Sequence, residues 1–163
     1  MRHFGANPPC SDSPGAFDTT WATIAGEQLS LNDIEHGKIR GFGDPKIHAA
    51  LVCGSVSSPT FRYEPLGNPI SAQLDEQMRS FLHGGGAAVD RGSGTLRLSR
   101  VFLWYGGDFV RSASMPTSSP ARRHDVAKPV SRWLADDDAG WVPAPRPEVE
   151  DAPYDWGLAC SIA

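Results

Sequence analysis

Two neighbouring stretches, SLNDIEHG at residues 30–37 and DPKIHAALVCGSVSSP at residues 44–59, decide the fold around the reactive side chains of this chain. Together they contain a thiol, two imidazoles and a carboxylate, which are the groups used in nucleophilic catalysis and in metal binding. The residues that carry these groups are Glu35, His36, His48 and Cys53. Because only a glycine-containing turn separates the two stretches, we expect them to fold close together and to form one site.

The first stretch predicts a helix and the second predicts a buried strand. Ser30 is a preferred N-cap residue, and Asp33 suits the positive end of the helix dipole. We expect this helix to end near Arg40, at the Gly-Phe-Gly turn that follows. The apolar run at residues 46–53 lies between Asp-Pro and Gly. Such a run favours a buried strand and leaves a helix as the alternative.

The remaining pattern predicts a loop-rich α+β fold, in which a small mixed sheet packs against several short helices. The 17 glycines and 14 prolines indicate many loops. The predicted elements are a strand at residues 21–25, a helix from residue 68 or 71 to 82, a hairpin of residues 87–90 and 95–98, a helix at 101–105 capped by Ser99, a helix at 124–135 that ends in three aspartates, and an extended segment at 149–154.

Length and composition indicate one soluble globular domain. The 163 residues, of which 40% are hydrophobic and 21% charged, suffice for a hydrophobic core. We interpret residues 1–20 as a loop-like leader, residues 21–158 as a single domain and residues 159–163 as a C-terminal tail.

Charge and hydropathy exclude some function classes. The net charge of −4 argues against nucleic-acid binding, which requires a basic stripe. No apolar run approaches the roughly 20 residues of a membrane-spanning helix. The N-terminus lacks the apolar region of a signal peptide, so a cytoplasmic location is the default expectation.

Cys53, His36 and Glu35 are the candidate catalytic residues. Cys53 ends the apolar run directly before a glycine turn, where reactive groups and free backbone amides often emerge. His36 is the candidate base, and Glu35 could orient its imidazole. The alternative is structural, because a cysteine after Ala-Ala-Leu-Val is commonly a small buried hydrophobe. In that case Glu35, which lies in the apolar arc of its helix, needs backbone N–H groups or a Lys or Arg such as Lys46 as its partner.

Further polar residues are candidates for binding or for supporting the catalytic groups. They are His48, Asp44, Arg40, Asp108 and Asp155. His48 points away from Cys53 in a strand and is poorly aligned with it in a helix, so we expect His48 to hydrogen-bond to backbone in the core. Asp44 is a second candidate to orient His36. The aromatic residues around Asp108 and Asp155 could line a pocket.

The sequence predicts no cofactor and no metal site. The cysteines, at positions 10, 53 and 160, do not have the spacing of a common zinc site. The run Gly84-Gly-Gly86 is not a phosphate-binding loop, because it ends a predicted helix and lacks the Lys-Ser/Thr that follows such loops.

Five motifs occur in a definite order: SLNDIEHGKIRGF, DPKIHAALVCGSVSSP, QLDEQMRSFL, LRLSRVFLWYGGDF and PYDWGL. In this order they resemble the family catalogued as domain of unknown function 547, over residues 20–158. The resemblance implies a mixed α and β domain with no settled activity. The resemblance also implies that bacterial relatives are often exported, which differs from the default expectation of a cytoplasmic location.

The chain departs from the family at two points. Ser58 stands where the family typically has a second cysteine, which removes a redox partner for Cys53. The helical sequence that usually precedes this region, with its aromatic-Asn-Ala motif, is not found, so the chain resembles a shortened member. Without these helices an apolar face would be uncovered, which predicts self-association or a protein partner.

Two functions from different classes follow from these residues. The first is a thiol-dependent hydrolase or acyl-transfer enzyme that uses Cys53, His36 and Glu35. The second is a non-catalytic interaction or scaffold domain in which a buried Glu/His/Cys network fixes the helix in place. An enzyme requires a reachable and ionisable Cys53, whereas a scaffold can bury the protonated thiol.

Overall fold

The structure, a computed structural model, describes Gly15 and residues 17–110, 121–142 and 148–159. These residues form a two-stranded and a three-stranded sheet together with several short helices. The α+β class predicted from the sequence is confirmed. Most of the predicted leader, most of the predicted tail and the cysteines Cys10 and Cys160 lie outside the described residues.

The first sheet is a hairpin of β1 (Thr20–Ile24) and β2 (Glu27–Ser30), which pair antiparallel. Ala25 and Gly26 connect the strands with φ angles of 52° and 85°. Positive φ at both central residues is the requirement of a type I′ turn, whose twist matches that of the paired strands. The predicted strand at residues 21–25 is confirmed.

Reciprocal hydrogen bonds between Ser30 and Asp33 start the helical segment after β2. Ser30 Oγ accepts from the Asp33 N–H at 3.1 Å, and Asp33 Oδ2 accepts from the Ser30 N–H at 3.0 Å. These bonds satisfy amides that a helix start otherwise leaves free. The chain continues as a π-helix, Asp33–Ile39, and a 3-10 turn, Arg40–Phe42, and it ends at Gly43 with a φ of 72°. The predicted helix is therefore present, with a winding that differs from a regular α-helix.

The strand predicted at residues 46–53 is wrong, because Pro45–Ala49 forms a 3-10 helix. Asp44 Oδ1 accepts a hydrogen bond from the Lys46 N–H at 3.0 Å, which caps this helix. Pro45 takes its first position, where a missing N–H costs little. The run is apolar because most of the helix is buried, and periodicity alone cannot separate a buried strand from a short buried helix.

The second sheet has the order β3-β4-β5 and follows a long helix. The helix α1 (Ile70–Phe81) passes directly into a π-helical turn, Leu82–Gly86. The strands β3 (Ala87–Asp90) and β4 (Thr95–Leu98) then pair antiparallel, and β5 (Glu148–Asp151) pairs parallel to β4. The predicted hairpin is confirmed, and β5 overlaps the segment predicted to be extended at residues 149–154, starting one residue earlier.

Four short helices complete the fold. Ser99 Oγ accepts from the Val101 N–H and caps α2 (Arg100–Trp104), as predicted, and α3 (Gly106–Val110) follows. The helix predicted at residues 124–135 is shorter, because α4 comprises Arg123–Ser131. The three aspartates predicted to end it instead begin α5 (Asp136–Trp141), where their carboxylates favour the positive end of a helix dipole.

The hydrophobic core lies between α1, the second sheet and the helices α2 to α5. Its most deeply buried large side chains are Met78, Leu82, Leu96, Val126 and Val130. Ala49 joins the same core, which brings the Pro45–Ala49 helix against α1 and leaves His48 inside the protein. None of the helices in the described ranges is long and apolar enough to span a membrane.

We expect the substitution Gly86→Ala to lower the free energy of unfolding by about 1–3 kcal/mol. An added Cβ at Gly86 would lie 2.7 Å from the carbonyl oxygen of Phe81, which is backbone and cannot move away cheaply. Gly84→Ala is the matched control, because a Cβ there meets nothing within 4 Å. Urea unfolding of both variants measures the difference. Equal stability of the two variants would contradict this expectation.

Candidate functional site

A buried ion-pair network joins three segments that are distant in sequence. Arg40 binds Asp108 through two parallel hydrogen bonds, from Nε to Oδ2 at 2.9 Å and from Nη2 to Oδ1 at 2.7 Å. His48 Nε2 lies 2.8 Å from Asp108 Oδ2. All three residues are 3% exposed. The paired geometry is typical of strong Arg–carboxylate interactions and holds the network rigid.

The charge of the Asp108 carboxylate determines which nitrogen of His48 carries a proton. Burial raises the pKa of Asp108, but hydrogen bonds from His48 and Arg40 outweigh burial, so the pKa stays below its usual range. An ionised carboxylate can only accept hydrogen bonds, so Nε2 of His48 carries the proton. His48 is buried in the core as expected, but the partner of its Nε2 is the side chain of Asp108 rather than backbone.

Tyr105 lies over this network. Its ring stacks on the His48 ring with a centroid distance of 4.0 Å and an interplanar angle of 16°. The Arg40 guanidinium lies 5.4 Å from the same ring centroid. Burial raises the pKa of Tyr105, and the charge of the Glu35 carboxylate raises it further, so the phenol stays protonated.

The predicted partner of Glu35, Lys46, is wrong. Lys46 Nζ donates to Ser71 Oγ at 2.8 Å and to Asp75 Oδ2 at 3.2 Å, which fixes the Pro45–Ala49 helix to the start of α1. Glu35 Oε1 lies 3.7 Å from His36 Nδ1 instead. Sequence patterns could not show that Lys46 is directed to α1, because this depends on how the Pro45–Ala49 helix is oriented.

His36 lies at the edge of the network. Its side chain is 40% exposed, and its Nδ1 lies 3.7 Å from Glu35 Oε1 and 3.5 Å from Arg40 Nη1. Among the residues that the structure describes, no hydrogen bond joins Cys53 to His36 or to His48. Glu35 and His36 therefore lie next to each other. In the described part of the chain, no imidazole forms a hydrogen bond with the Cys53 thiol.

Cys53 is surrounded by hydrogen-bond donors. Its Sγ lies 3.1 Å from Ser55 Oγ and 3.6 Å from Tyr154 OH, and the two hydroxyls are 2.9 Å apart. Burial raises the pKa of Cys53, but hydrogen bonds from the Ser55 hydroxyl and amide, from Tyr154 and from Ser58 outweigh it and lower the pKa. The Cys53 residue is partly buried.

The C-terminal segment brings Tyr154 to the thiol. Ser55 and Leu158 form an antiparallel bridge, in which the Val56 N–H donates to the Gly157 carbonyl at 2.8 Å. Trp104 holds the Tyr154 ring edge-on, at a centroid distance of 4.9 Å. The aromatic residues expected to line a pocket are thus in mutual contact beside Cys53.

Two of the predicted binding residues have local structural contacts. Asp155 Oδ1 accepts from the Gly157 N–H at 2.8 Å, which closes a turn. Asp44 caps the Pro45–Ala49 helix and lies 3.6 Å from Lys46 Nζ. Within the described ranges, no group of three or more His, Cys, Asp or Glu side chains could hold a metal ion.

Ser55, Tyr105 and Tyr154 do not stand out in the sequence as functional residues. Tyr105 and Tyr154 were visible only as members of aromatic motifs, which more often form core. Ser55 carried a weak local signal, since a hydroxyl two residues after a cysteine can reach its sulfur. Tyr154 is 101 residues from Cys53, so no spacing rule could connect them.

We expect Asp108→Ala to lower the free energy of unfolding by about 3–5 kcal/mol, because it leaves the buried Arg40 charge without a partner. Glu150→Ala is the control, since it breaks the half-exposed Arg97–Glu150 pair, which contributes at most about 1 kcal/mol. Chemical denaturation of both variants provides the measurement. A loss in Asp108→Ala no larger than in the control would show that the network does not stabilise the fold.

The stability contributed by Asp108 should be lost in acid. Because the folded pKa lies below the unfolded value of about 3.9, the contribution is complete above that value and disappears as the pH falls through the folded pKa. Urea unfolding between pH 6 and pH 3 should therefore show a steeper decline for the native chain than for Asp108→Asn. Asp33 and Asp75, whose pKa values are also lowered, contribute equally to both proteins. Parallel pH profiles would contradict this assignment.

Comparison with known proteins gives a family and no activity. The comparisons with curated proteins and with solved structures find no match. Residues 10–82, which include Glu35, His36, His48 and Cys53, match the family model described as protein of unknown function, DUF547. Asp108 and Tyr154 lie beyond the matched residues. The match over residues 10–82 supports a DUF547 family domain in this part of the chain.

Proposed function

We propose that this domain has a thiol-dependent hydrolase or acyl-transfer activity in which Cys53 is the nucleophile. The observation that carries the proposal is the donor set around Cys53 Sγ. Two hydroxyls lie against the sulfur, that of Ser55 at 3.1 Å and that of Tyr154 at 3.6 Å, and the Ser58 hydroxyl accepts from the Cys53 N–H at 3.1 Å. They come from two segments of the chain that are far apart in sequence.

This donor set suits a thiolate better than a thiol. A thiol is a weak acceptor with one proton to donate, whereas an anionic sulfur gains from every donor directed at it. The thiolate is also the nucleophilic form of cysteine. A partly buried cysteine with a lowered pKa therefore suits acyl transfer, which requires both ionisation and access.

The reaction has two half-steps. The Cys53 thiolate attacks the carbonyl carbon of an acyl substrate, a C–S bond forms, and the bond from the acyl carbon to the leaving group breaks. The leaving group takes a proton from the solvent. Water, or another acceptor in a transferase, then attacks the resulting thioester and loses a proton to the solvent, and the C–S bond breaks to release the acyl product and return the thiolate.

In this proposal His36 is not the base that ionises Cys53. The sequence suggested that His36 removes the proton from Cys53, yet the imidazole makes no hydrogen bond with this thiol in the described part of the chain. The hydroxyl donors lower the pKa of Cys53 directly, so ionisation does not depend on an adjacent imidazole.

The alternative function is a non-catalytic interaction or scaffold domain, and the Arg40–Asp108–His48 network supports it. All three residues are buried and bonded to one another, so they serve to hold three segments together. Exposed aromatic residues, Phe61 and Tyr63, pack edge-on against each other at the surface and are compatible with self-association or a protein partner. The two functions differ in what they require of Cys53.

We expect Cys53 to be alkylated rapidly at neutral pH, with an apparent pKa below the ordinary value of about 8.5. The experiment uses the Cys10→Ser/Cys160→Ser double variant, in which Cys53 is the single thiol, and follows iodoacetamide labelling from pH 5 to pH 10 by mass spectrometry. Adding Tyr154→Phe should slow labelling at pH 7 by about tenfold, because a hydrogen bond to a charged group contributes about 1.5 kcal/mol and one pKa unit corresponds to about 1.4 kcal/mol.

Tyr63→Phe is the matched control, because it removes the hydroxyl of a tyrosine that is 90% exposed. It should leave the labelling rate and the apparent pKa unchanged. Slow labelling of Cys53 in the folded protein, with normal labelling after unfolding in urea, would identify a core cysteine. The enzyme proposal would then be abandoned in favour of the scaffold function.

A further inference from the structure

We propose that Trp104, Tyr154 and Trp156 form the acyl-binding surface of the thiol site, and that this surface takes an apolar acyl group. This assignment rests on the proposed acyl-transfer function and names the substrate class of the same site. We call these three side chains the aromatic cluster. The hydroxyl of its tyrosine lies against the sulfur, whereas the faces of its rings are what an acyl group can pack on.

The aromatic cluster consists of three rings in mutual contact. The Tyr154 ring lies 4.9 Å from the Trp104 ring and 4.5 Å from the Trp156 ring, measured between centroids. The two tryptophans stack on each other at 5.2 Å with an interplanar angle of 26°. Trp104 and Tyr154 also pack against the hydrophobic core, which anchors the cluster. The three rings therefore form one continuous apolar surface.

Tyr154 joins the aromatic cluster to the reactive sulfur. Its hydroxyl lies 3.6 Å from Cys53 Sγ and 2.9 Å from Ser55 Oγ, while its ring contacts both tryptophans. Because the hydroxyl and the ring belong to one planar group, the distance between the sulfur and the cluster is fixed. An acyl group carried on the sulfur therefore begins beside the rings.

The surroundings of the aromatic cluster are exposed and apolar. Each of its three residues is partly rather than fully buried. The side chain of Val56 lies beside Gly157, the residue that follows Trp156, and Val56 is 54% exposed. Leu158, opposite the thiol loop in the antiparallel bridge, is 57% exposed. Both segments that meet at the thiol thus present apolar surface that a substrate can cover.

The charges and the ring packing select the class of acyl group. The two segments that meet at the thiol, residues 50–59 and 152–159, contain one charged side chain, Asp155, and no lysine or arginine. An anionic acyl group would meet this carboxylate and no cation from either segment, which disfavours it. A quaternary ammonium group is bound in a cage of separated ring faces, whereas these rings pack on one another. A neutral, apolar acyl group fits the outer faces of the rings.

The test compares the acylation of Cys53 by p-nitrophenyl acetate and by p-nitrophenyl hexanoate in the Cys10→Ser/Cys160→Ser protein. The release of p-nitrophenolate gives the second-order rate constant, and intact mass measures the acyl group on Cys53. Each rate constant is divided by that of free cysteine with the same ester, which removes the intrinsic reactivity of the ester. A fully buried CH₂ group corresponds to about fourfold in binding, so the four additional CH₂ groups of hexanoate, half covered, should favour it by about tenfold.

Variants of the surface should change this preference. Trp156→Ala removes one of the three rings and should lower the ratio of hexanoate to acetate acylation to about threefold. Val56→Asp places a carboxylate beside Gly157 on an exposed position and should lower the same ratio, and it is the second variant if Trp156→Ala unfolds. Phe61→Ala is the matched control, because it removes an exposed ring that contacts Tyr63, and it should keep the native ratio.

The outcomes separate this inference from the proposed function. Equal normalised rate constants for the two esters in the native chain, or a native ratio in both surface variants, would overturn the inference while leaving Cys53 as the nucleophile. If neither ester forms an acyl group on Cys53 in the native chain, the proposed function itself is wrong, and this inference fails with it.

Discussion

The rest of the described structure depends on the neutralisation of the Asp108 carboxylate. A buried carboxylate is costly unless charge and hydrogen bonds compensate it, and here Arg40 and His48 supply both. Arg40 follows the helical segment that contains Glu35, and His48 lies in the Pro45–Ala49 helix. Asp108, a side chain of α3, therefore fixes both the helical segment that contains Glu35 and the Pro45–Ala49 helix.

This constraint explains why the candidate site has two parts. On one side, the ion-pair network holds the Tyr105 ring through its stacking on His48. On the other side, the Cys53 sulfur lies against the hydroxyls of Ser55, from its own loop, and of Tyr154, from the C-terminal segment. A conventional thiol–imidazole pair is not what the described residues form.

The local features of the fold could be predicted because each depends on a few adjacent residues. The cap at Ser30, the cap at Ser99 and the hairpin before it were predicted correctly. The strand expected at residues 46–53 was wrong, because an eight-residue apolar run fits two buried conformations and the Asp44-Pro45 start favoured the helical one. The division into a leader, one domain and a tail stays a prediction.

By itself, the sequence determined which groups are available for chemistry and which family model residues 10–82 match. It could also select Arg40, His48 and Asp108 as polar residues of interest. Only the tertiary structure decided which of these side chains meet. Arg40 and Asp108 are 68 residues apart, and Cys53 and Tyr154 are 101 residues apart. Contacts of this kind depend on how buried charge and apolar surface are satisfied by the whole fold, which no local pattern of residues contains.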